Sequence, residues 1–276
     1  MCIITTIHLG VWKGDDILNN IFHDEQNKYM YSGRKVDYKW VSLISSIIKQ
    51  SNIDMDDALD IGSGGGIYTN QLSEFGFKHV LGIDQSEVMI ASANEQAYNN
   101  HIQFEVGDIF NNHLANQSQN FILSRALIHH IQDLQKAFLE TKRILKDNSI
   151  FVIQDRTIED LAIPASSNNL RGYLYEHFSR LRDFDSKRRH SEVDVTNALY
   201  DVGFNNVETL KINEIRQSYA TIESLQHDYL SRKGRSILFE LSDQELKSFV
   251  AQFPKYVGDD SPIIEKDQWT LWVAYH

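Results

Sequence analysis

At Ala58-Leu59-Asp60-Ile61-Gly62-Ser63-Gly64-Gly65-Gly66 a short apolar run breaks into four glycines within five residues. The run is too short for a helix and is bounded by turn residues, so it reads as a buried strand. In "IYTNQLSEFG", which follows, Ile67, Leu72 and Phe75 fall on one helical face. Strand, glycine turn and helix together aim backbone N–H groups at a ligand. Glycine tolerates positive φ there and lets a ligand press against the main chain without a Cβ in the way. The turn is therefore expected to hold a cofactor.

The chain keeps this rhythm on either side. Upstream, Asp37 to Gln50 places Val41, Ile44, Ile47 and Ile48 on one face of a helix expected to cover the start of a sheet. Downstream, residues 66–75 read as a helix and "KHVLGID" (78–84) as a second strand. "SEVMIASANEQAY" (86–98) follows as a helix capped by Ser86, with Glu87 in its first turn. "IQFEVGD" (102–108) and "NFILSR" (120–125) read as the third and fourth strands, and a helix runs from about Asp133 to Leu145 before the fifth strand, "SIFVIQD" (149–155). Residues 157–190 break the pattern, being long, polar and aromatic. A helix over 192–204 closed by Gly203, a strand over 206–215, a second helical insertion and a last strand over 268–276 complete the reading. Such alternation predicts an α/β architecture: a seven-stranded, mostly parallel sheet with helices on both faces. The insertions, at about 157–190 and 216–265, are expected to form a helical lid and not an independent domain.

A length of 276 residues lies near the upper limit for one core. The net charge of −11 argues against a nucleic-acid partner, which requires a basic face. A single cysteine, Cys2, excludes an internal disulfide and a multi-cysteine metal site and fits a reducing cytoplasm. The first residues lack the basic region and cleavage site of a signal peptide, and no apolar run approaches the roughly 18 residues of a membrane span. The expected partner is a small molecule, in a cytoplasmic protein whose oligomeric state the sequence leaves open.

Ligands of parallel sheets bind beyond the carboxyl ends of the strands, where strand order reverses. Asp84 ends the second strand 22 residues after Gly62. That is close to the spacing of about 20 at which an acidic residue meets ribose hydroxyls. The third strand ends in Gly107-Asp108, the fourth in Ser124-Arg125 and the fifth in Asp155-Arg156. Each has a plain structural reading: a tight turn for the glycines, a helix cap for Asp84, a satisfied hydroxyl for Ser124. The coincidence of the turn with two carboxylates at matching strand ends is what points to a nucleoside-type cofactor. The dinucleotide pattern G-x-G-x-x-G would need glycine where Ile67 stands, which leaves an NAD-dependent oxidoreductase as a remote alternative.

The series "ALDIGSGGG", "GIDQS", "FEVGDI" and "NFILSRALIHHI" resembles, in order and spacing over residues 57–156, the motifs of class I S-adenosylmethionine-dependent methyltransferases. The likeness is to the small-molecule branch of the ubiquinone and menaquinone biosynthesis type. The resemblance implies a Rossmann-like sheet with an antiparallel last pair, S-adenosyl-L-methionine as cofactor, and methyl transfer to oxygen, nitrogen or carbon. Asp60 and Gly62 through Gly66, with Ser63 and Gly64 among them, would cradle the methionine part. Asp84 would hold both ribose hydroxyls with Gln85 beside it, and Met89 would pack near the adenine. In Gly107-Asp108-Ile109, Asp108 would accept the adenine amino group and Ile109 would lie against the ring. Ser124 and Arg125 would floor the site below the reactive methyl. Residues 1–56 would form a helical cap over the cofactor, bringing Arg34 and Tyr38 to the methionine carboxylate or the substrate.

Methyl transfer from a sulfonium is an in-line displacement in which positioning supplies much of the rate. A base is needed only where the acceptor must lose a proton. His129 and His130 follow the fourth strand, His129 as candidate base and His130 as candidate substrate contact, with packing as the plain reading of either. Arg156 could steer an anionic substrate or simply pair with Asp155. Lys187-Arg188-Arg189-His190 could bind an acidic substrate, although most such runs are merely solvated. The Asn/Asp-Pro-Pro-aromatic motif of nucleic-acid amino-methylating enzymes is absent after the fourth strand. So is the carboxylate of metal-dependent catechol enzymes at Ser124, and no metal is expected. The reading is thus an enzyme, with a non-catalytic cofactor-binding sensor or partner subunit as the alternative. A filled acceptor pocket would mark the latter and an open one the former.

Overall fold

The computed structural model describes residues 36–258 and 261–276. Helix α1 (Tyr38–Ser51) leads into β1 (Asp57–Ile61), α2 (Ile67–Glu74), β2 (His79–Asp84), α3 (Glu87–Gln96) and β3 (Ile102–Val106). Then come β4 (Gln119–Arg125), α4 (Leu134–Ile144) and β5 (Leu145–Asp155). The first insertion carries α5 (Leu170–His177) and α6 (Ser179–Lys187), and α7 (Glu192–Asp201) leads to β6 (Asn206–Tyr219). The second carries α8 (Ile222–Ser231), α9 (Asp243–Val250) and α10 (Phe253–Val257) before β7 (Ile263–Tyr275).

The seven strands form one sheet in the order β3-β2-β1-β4-β5-β7-β6. The first five are parallel; β7 runs antiparallel to both of its neighbours. Both faces are covered, so the central strands are apolar in both directions, as parallel strands must be. On one face Phe121, Leu123, Val152, Leu271 and Val273 pack under α1, α2 and α3. On the other, Ile122, Phe151, Ile153 and Trp272 meet Phe138 of α4 and Leu199 of α7. No described helix is long and apolar enough to cross a membrane.

The two insertions pack into one helical layer with its own core, joining Leu174 and Leu181 to Leu225, Phe249 and Phe253. The last two strands run further than the 206–215 and 268–276 expected. After an irregularity between Ile215 and Gln217, β6 continues to Tyr219, opposite Ile263. The extension is too polar to show a strand period because its side chains face the lid's ionic groups: Glu265 accepts from Tyr229 at 2.6 Å and from Arg235 at 2.6 Å. The second lid segment therefore lies between Tyr219 and Ile263, shorter than 216–265.

Helix α1 lies on the sheet with its N-cap Asp37 at the cavity wall, and residues 1–35 of the expected cap lie outside the described residues. Trp40, Ile44, Ile47 and Ile48 are buried against the sheet, and Trp40 Nε1 donates to Gln154 Oε1 at 2.6 Å. Its N-cap Asp37 accepts from the Lys39 amide and, at 2.6 Å, from the Ile215 amide.

Candidate active site

Strand order reverses between β1 and β4, and a cavity of about 300 Å³ opens there above the strand ends. The glycine turn forms its base. Gly62, Gly64 and Gly66 all have φ between 51° and 81°. At Gly66 a Cβ would sit 2.5 Å from the Phe104 ring, so glycine is also what lets α2 approach the sheet. The turn's amides are not all turned outward, as the strand-turn-helix pattern had suggested. Gly62 and Ser63 both donate to the Ile83 carbonyl, at 2.8 and 3.0 Å, because the β1–β2 ladder runs one step into the turn. The Gly64 amide donates to Asp84 Oδ2 at 2.9 Å, and the Ser86 amide to Asp84 Oδ1 at 2.9 Å. Asp84 is thus held at the tip of β2 facing the turn. Met89 and Ile109, both buried, supply the apolar wall beside it.

The opposite half of the cavity is built from β4, β5, β7 and the lid, and its character is ionic. Arg125 pairs with Glu214 at 2.7 Å and stacks on Tyr68 and Trp269. Arg156 lies 4.0 Å over the Trp269 ring and pairs with Asp267 at 2.6 Å. From the lid, Arg171 and Arg188 converge on Asp185, which is fully buried.

His129 stands between the halves. Its backbone amide and its Nδ1 both meet the Asp155 carboxylate, Nδ1 at 2.8 Å from Oδ2. Burial and the Arg189 charge lower His129 well below the ordinary histidine range, so the ring is neutral. With Nδ1–H donated to Asp155, Nε2 is left as the basic nitrogen. Burial alone would raise the Asp155 carboxyl; the bond from His129 and the Arg189 guanidinium at 2.5 Å hold it below its usual range.

Comparison with known proteins returns methyltransferases. A protein named as a methyltransferase of an antibiotic biosynthesis pathway in Anabaena variabilis shares the fold with a TM-score of 0.63 at 21% identity, over 86% of this chain and 98% of that one. Phosphoethanolamine N-methyltransferase 2 of Haemonchus contortus, in complex with phosphomonomethylethanolamine and S-adenosylhomocysteine, does so with 0.58 at 17%, over 96% of this chain and 61% of that one. Phosphoethanolamine N-methyltransferase 2 of Caenorhabditis elegans is 24% identical over 273 residues, covering 92% of this chain; the chain spans 58% of that relative's length. The methyltransferase-domain family matches residues 59–153, from β1 to β5. Residues 59–153 carry a methyltransferase domain.

The anticipated residues fall into three groups. Gly62, Ser63, Gly64, Asp84, Gln85, Met89, Gly107, Ile109, Arg125, His129, His130 and Arg156 are brought together around the cavity. Asp60, Asp108, Ser124 and Tyr38 do not line it. Asp108 turns back to accept from the Phe110 amide at 2.8 Å. Ser124 is fully buried in the ladder between β1 and β5, and Tyr38 projects from the outer side of α1 with 67% exposure. Arg34 lies outside the described residues.

Asp60 points into the core, where its Oδ2 accepts from Thr69 Oγ1 at 2.7 Å. Burial raises it to about 7 against the opposing pull of that hydrogen bond. A carboxyl raised on folding stabilises fully below the ordinary aspartate range, and that contribution is lost as pH rises through about 7. Asp60→Asn removes the titration. Between pH 5 and pH 8 the variant should therefore gain roughly 2–3 kcal/mol relative to the parent, read from urea unfolding at each pH. Parallel pH profiles for the two proteins would show that Asp60 is ionised throughout.

Sequence reasoning missed Tyr68, Arg216, Arg235 and Trp269 on the cavity wall. It also treated the 187–190 run as predominantly solvated, whereas Arg188 and Arg189 are buried and only Lys187 is exposed. The alternation of Trp269 with Leu271 and Val273 was the available signal, since it puts Trp269 on the same sheet face as those core residues. No local period marks the arginines.

Proposed function

We propose that this chain binds S-adenosylmethionine at the glycine-turn half of the cavity and transfers its methyl group to an oxygen, nitrogen or carbon atom of a small molecule seated in the lid half. The observation that carries this reading is one cavity lined both by the glycine turn with Asp84 and by His129, whose Nδ1 meets the buried Asp155 carboxylate. The names of the relatives, methyltransferases that act on small molecules such as phosphoethanolamine, support the same acceptor class.

The residues present fit the cofactor. Gly64 leaves open space where a Cβ would stand, Asp84 offers a carboxylate at ribose spacing, and Met89 and Ile109 offer a flat apolar wall. When bound, the cofactor supplies an electrophilic methyl on a sulfonium. Asp84 accepts hydrogen bonds from the ribose. His129 Nε2 takes the proton that the acceptor loses, and Asp155 steadies the resulting imidazolium while fixing the tautomer. The lid and Trp269 exclude water from the transfer.

Calorimetry with S-adenosylhomocysteine tests the reading. The parent chain binds in the micromolar range or tighter; absence of heat at millimolar cofactor refutes it. Asp84→Asn weakens binding by about 2 kcal/mol, roughly thirtyfold, because a charged acceptor becomes neutral. An unchanged dissociation constant removes Asp84 from the cofactor site.

A further inference from the structure

Resting on the methyltransferase reading, we propose that the lid half of the cavity is an oxyanion site that recognises the acceptor by a phosphate or carboxylate group. Four arginines that line the cavity each carry a buried guanidinium nitrogen. Arg125 Nε, Arg171 Nε and Arg188 Nη1 have no hydrogen-bond partner among the described residues. Arg156 Nη2 is 2.6 Å from Asp267 Oδ2, an ion pair without hydrogen-bond geometry. A buried donor of a charged group left unmade is costly and calls for an explanation, and here all four belong to residues that line one cavity.

The charges around it are also unequal. Arg171, Arg188 and Arg189 share two carboxylates: Asp185, at 3.4, 2.9 and 3.1 Å, and Asp155, which Arg189 shares with His129. Arg156 and Arg216 draw on Asp267, Arg216 reaching Glu265 only at 3.5 Å. Burial and the repulsion of Arg171 lower the Arg156 guanidinium to about 10. The chain as a whole carries −11, so this is a local cationic pocket in an acidic protein. The guanidinium planes of Arg125 and Arg156 are fixed against Trp269, at 4.6 and 4.0 Å, which pre-orients their forks for the paired oxygens of an oxyanion. Arg171 and Arg188 come from the lid and not from the strands that carry the glycine turn and Asp84. The group they face is therefore the acceptor's and not the cofactor's.

The test is a titration of the chain saturated with S-adenosylhomocysteine, at constant ionic strength, with inorganic phosphate, acetate and chloride. Saturable binding of one phosphate or one acetate per chain, with no saturable response to chloride, is expected. The tighter of the two tells a phosphate ester from a carboxylate. Arg171→Gln and Arg188→Gln should each weaken that binding at least about tenfold, as loss of a charge-assisted hydrogen bond requires, with affinity for S-adenosylhomocysteine unchanged. The parent titration decides even if a variant fails to fold. A cofactor-loaded parent that responds to neither phosphate nor acetate overturns the oxyanion site and leaves the methyltransferase reading standing. Failure to bind S-adenosylhomocysteine at all overturns the latter instead. Oxyanion binding untouched in both variants also overturns the site.

Discussion

Replacing His129 with glutamine lowers kcat by about a hundredfold to ten-thousandfold, the range for loss of a positioned general base. Glutamine keeps a donor for Asp155 and similar bulk, so the cavity wall survives while the titrating nitrogen is gone. The affinity for S-adenosylhomocysteine is expected to stay within a factor of about two, because the cofactor half is built from other strands. The pH profile gives a second readout. His129 is lowered well below the ordinary histidine value by burial and by Arg189. The basic form therefore persists into acid, and the parent's acid limb in kcat/KM lies below pH of about 6.5. Single-turnover rates for parent and variant across pH decide it. A variant rate within about threefold of the parent would assign the acceptor no proton to lose, and His129 would be a packing residue that orients Arg189 through Asp155.

Asp185→Asn should destabilise the folded chain by about 3–5 kcal/mol, the cost of removing one partner from a buried ion cluster. Asp185 has no exposed surface and contacts Arg171, Arg188 and Arg189, with Tyr175 donating to Oδ2 at 2.5 Å. Burial would raise its carboxyl, but the charges of Arg189 and Arg188 hold it well below its usual range. A carboxyl lowered on folding stabilises above the ordinary aspartate range and loses that contribution as pH falls through its folded value. The variant therefore loses most at neutral pH and approaches the parent in strong acid. Urea unfolding at pH 7 reads the difference; a loss under about 1 kcal/mol would mean that the three guanidinium groups relax into solvent when the carboxylate is gone.

Much of the cofactor half was legible in one dimension. The strands β1 to β4 have strong local periods, and the residues after them are fixed in space once parallel pairing is granted. Gly62, Asp84 and Gly107 reach the cavity for that reason. Strand-end position does not, however, set where a side chain turns. Asp60 and Ser124 lie on the same strands as cavity residues, yet they point into the core and the ladder. Asp108 is spent on a local turn, and two amides of the glycine bend are spent on Ile83. Those outcomes depend on neighbours, Thr69 and Ile83, that the linear pattern does not rank.

The acceptor half was nearly illegible. Its arginines come from positions between 125 and 235, and their carboxylates from positions between 155 and 267. No period joins them, because they meet only after the lid segments fold back over β4, β5 and β7. Polar runs such as residues 187–190 look alike whether solvated or buried; burial is a property of what lands on top of them.

The order of glycines, carboxylates and strands along the chain was sufficient to specify a parallel sheet and the end at which a nucleoside cofactor would sit, because those features arise from contacts close in sequence or repeated in it. Which charges face one another across the cavity, and hence what kind of acceptor it suits, was decided by the tertiary structure alone. Ion pairing acts through space over a few ångströms and is indifferent to the separation of the partners along the chain.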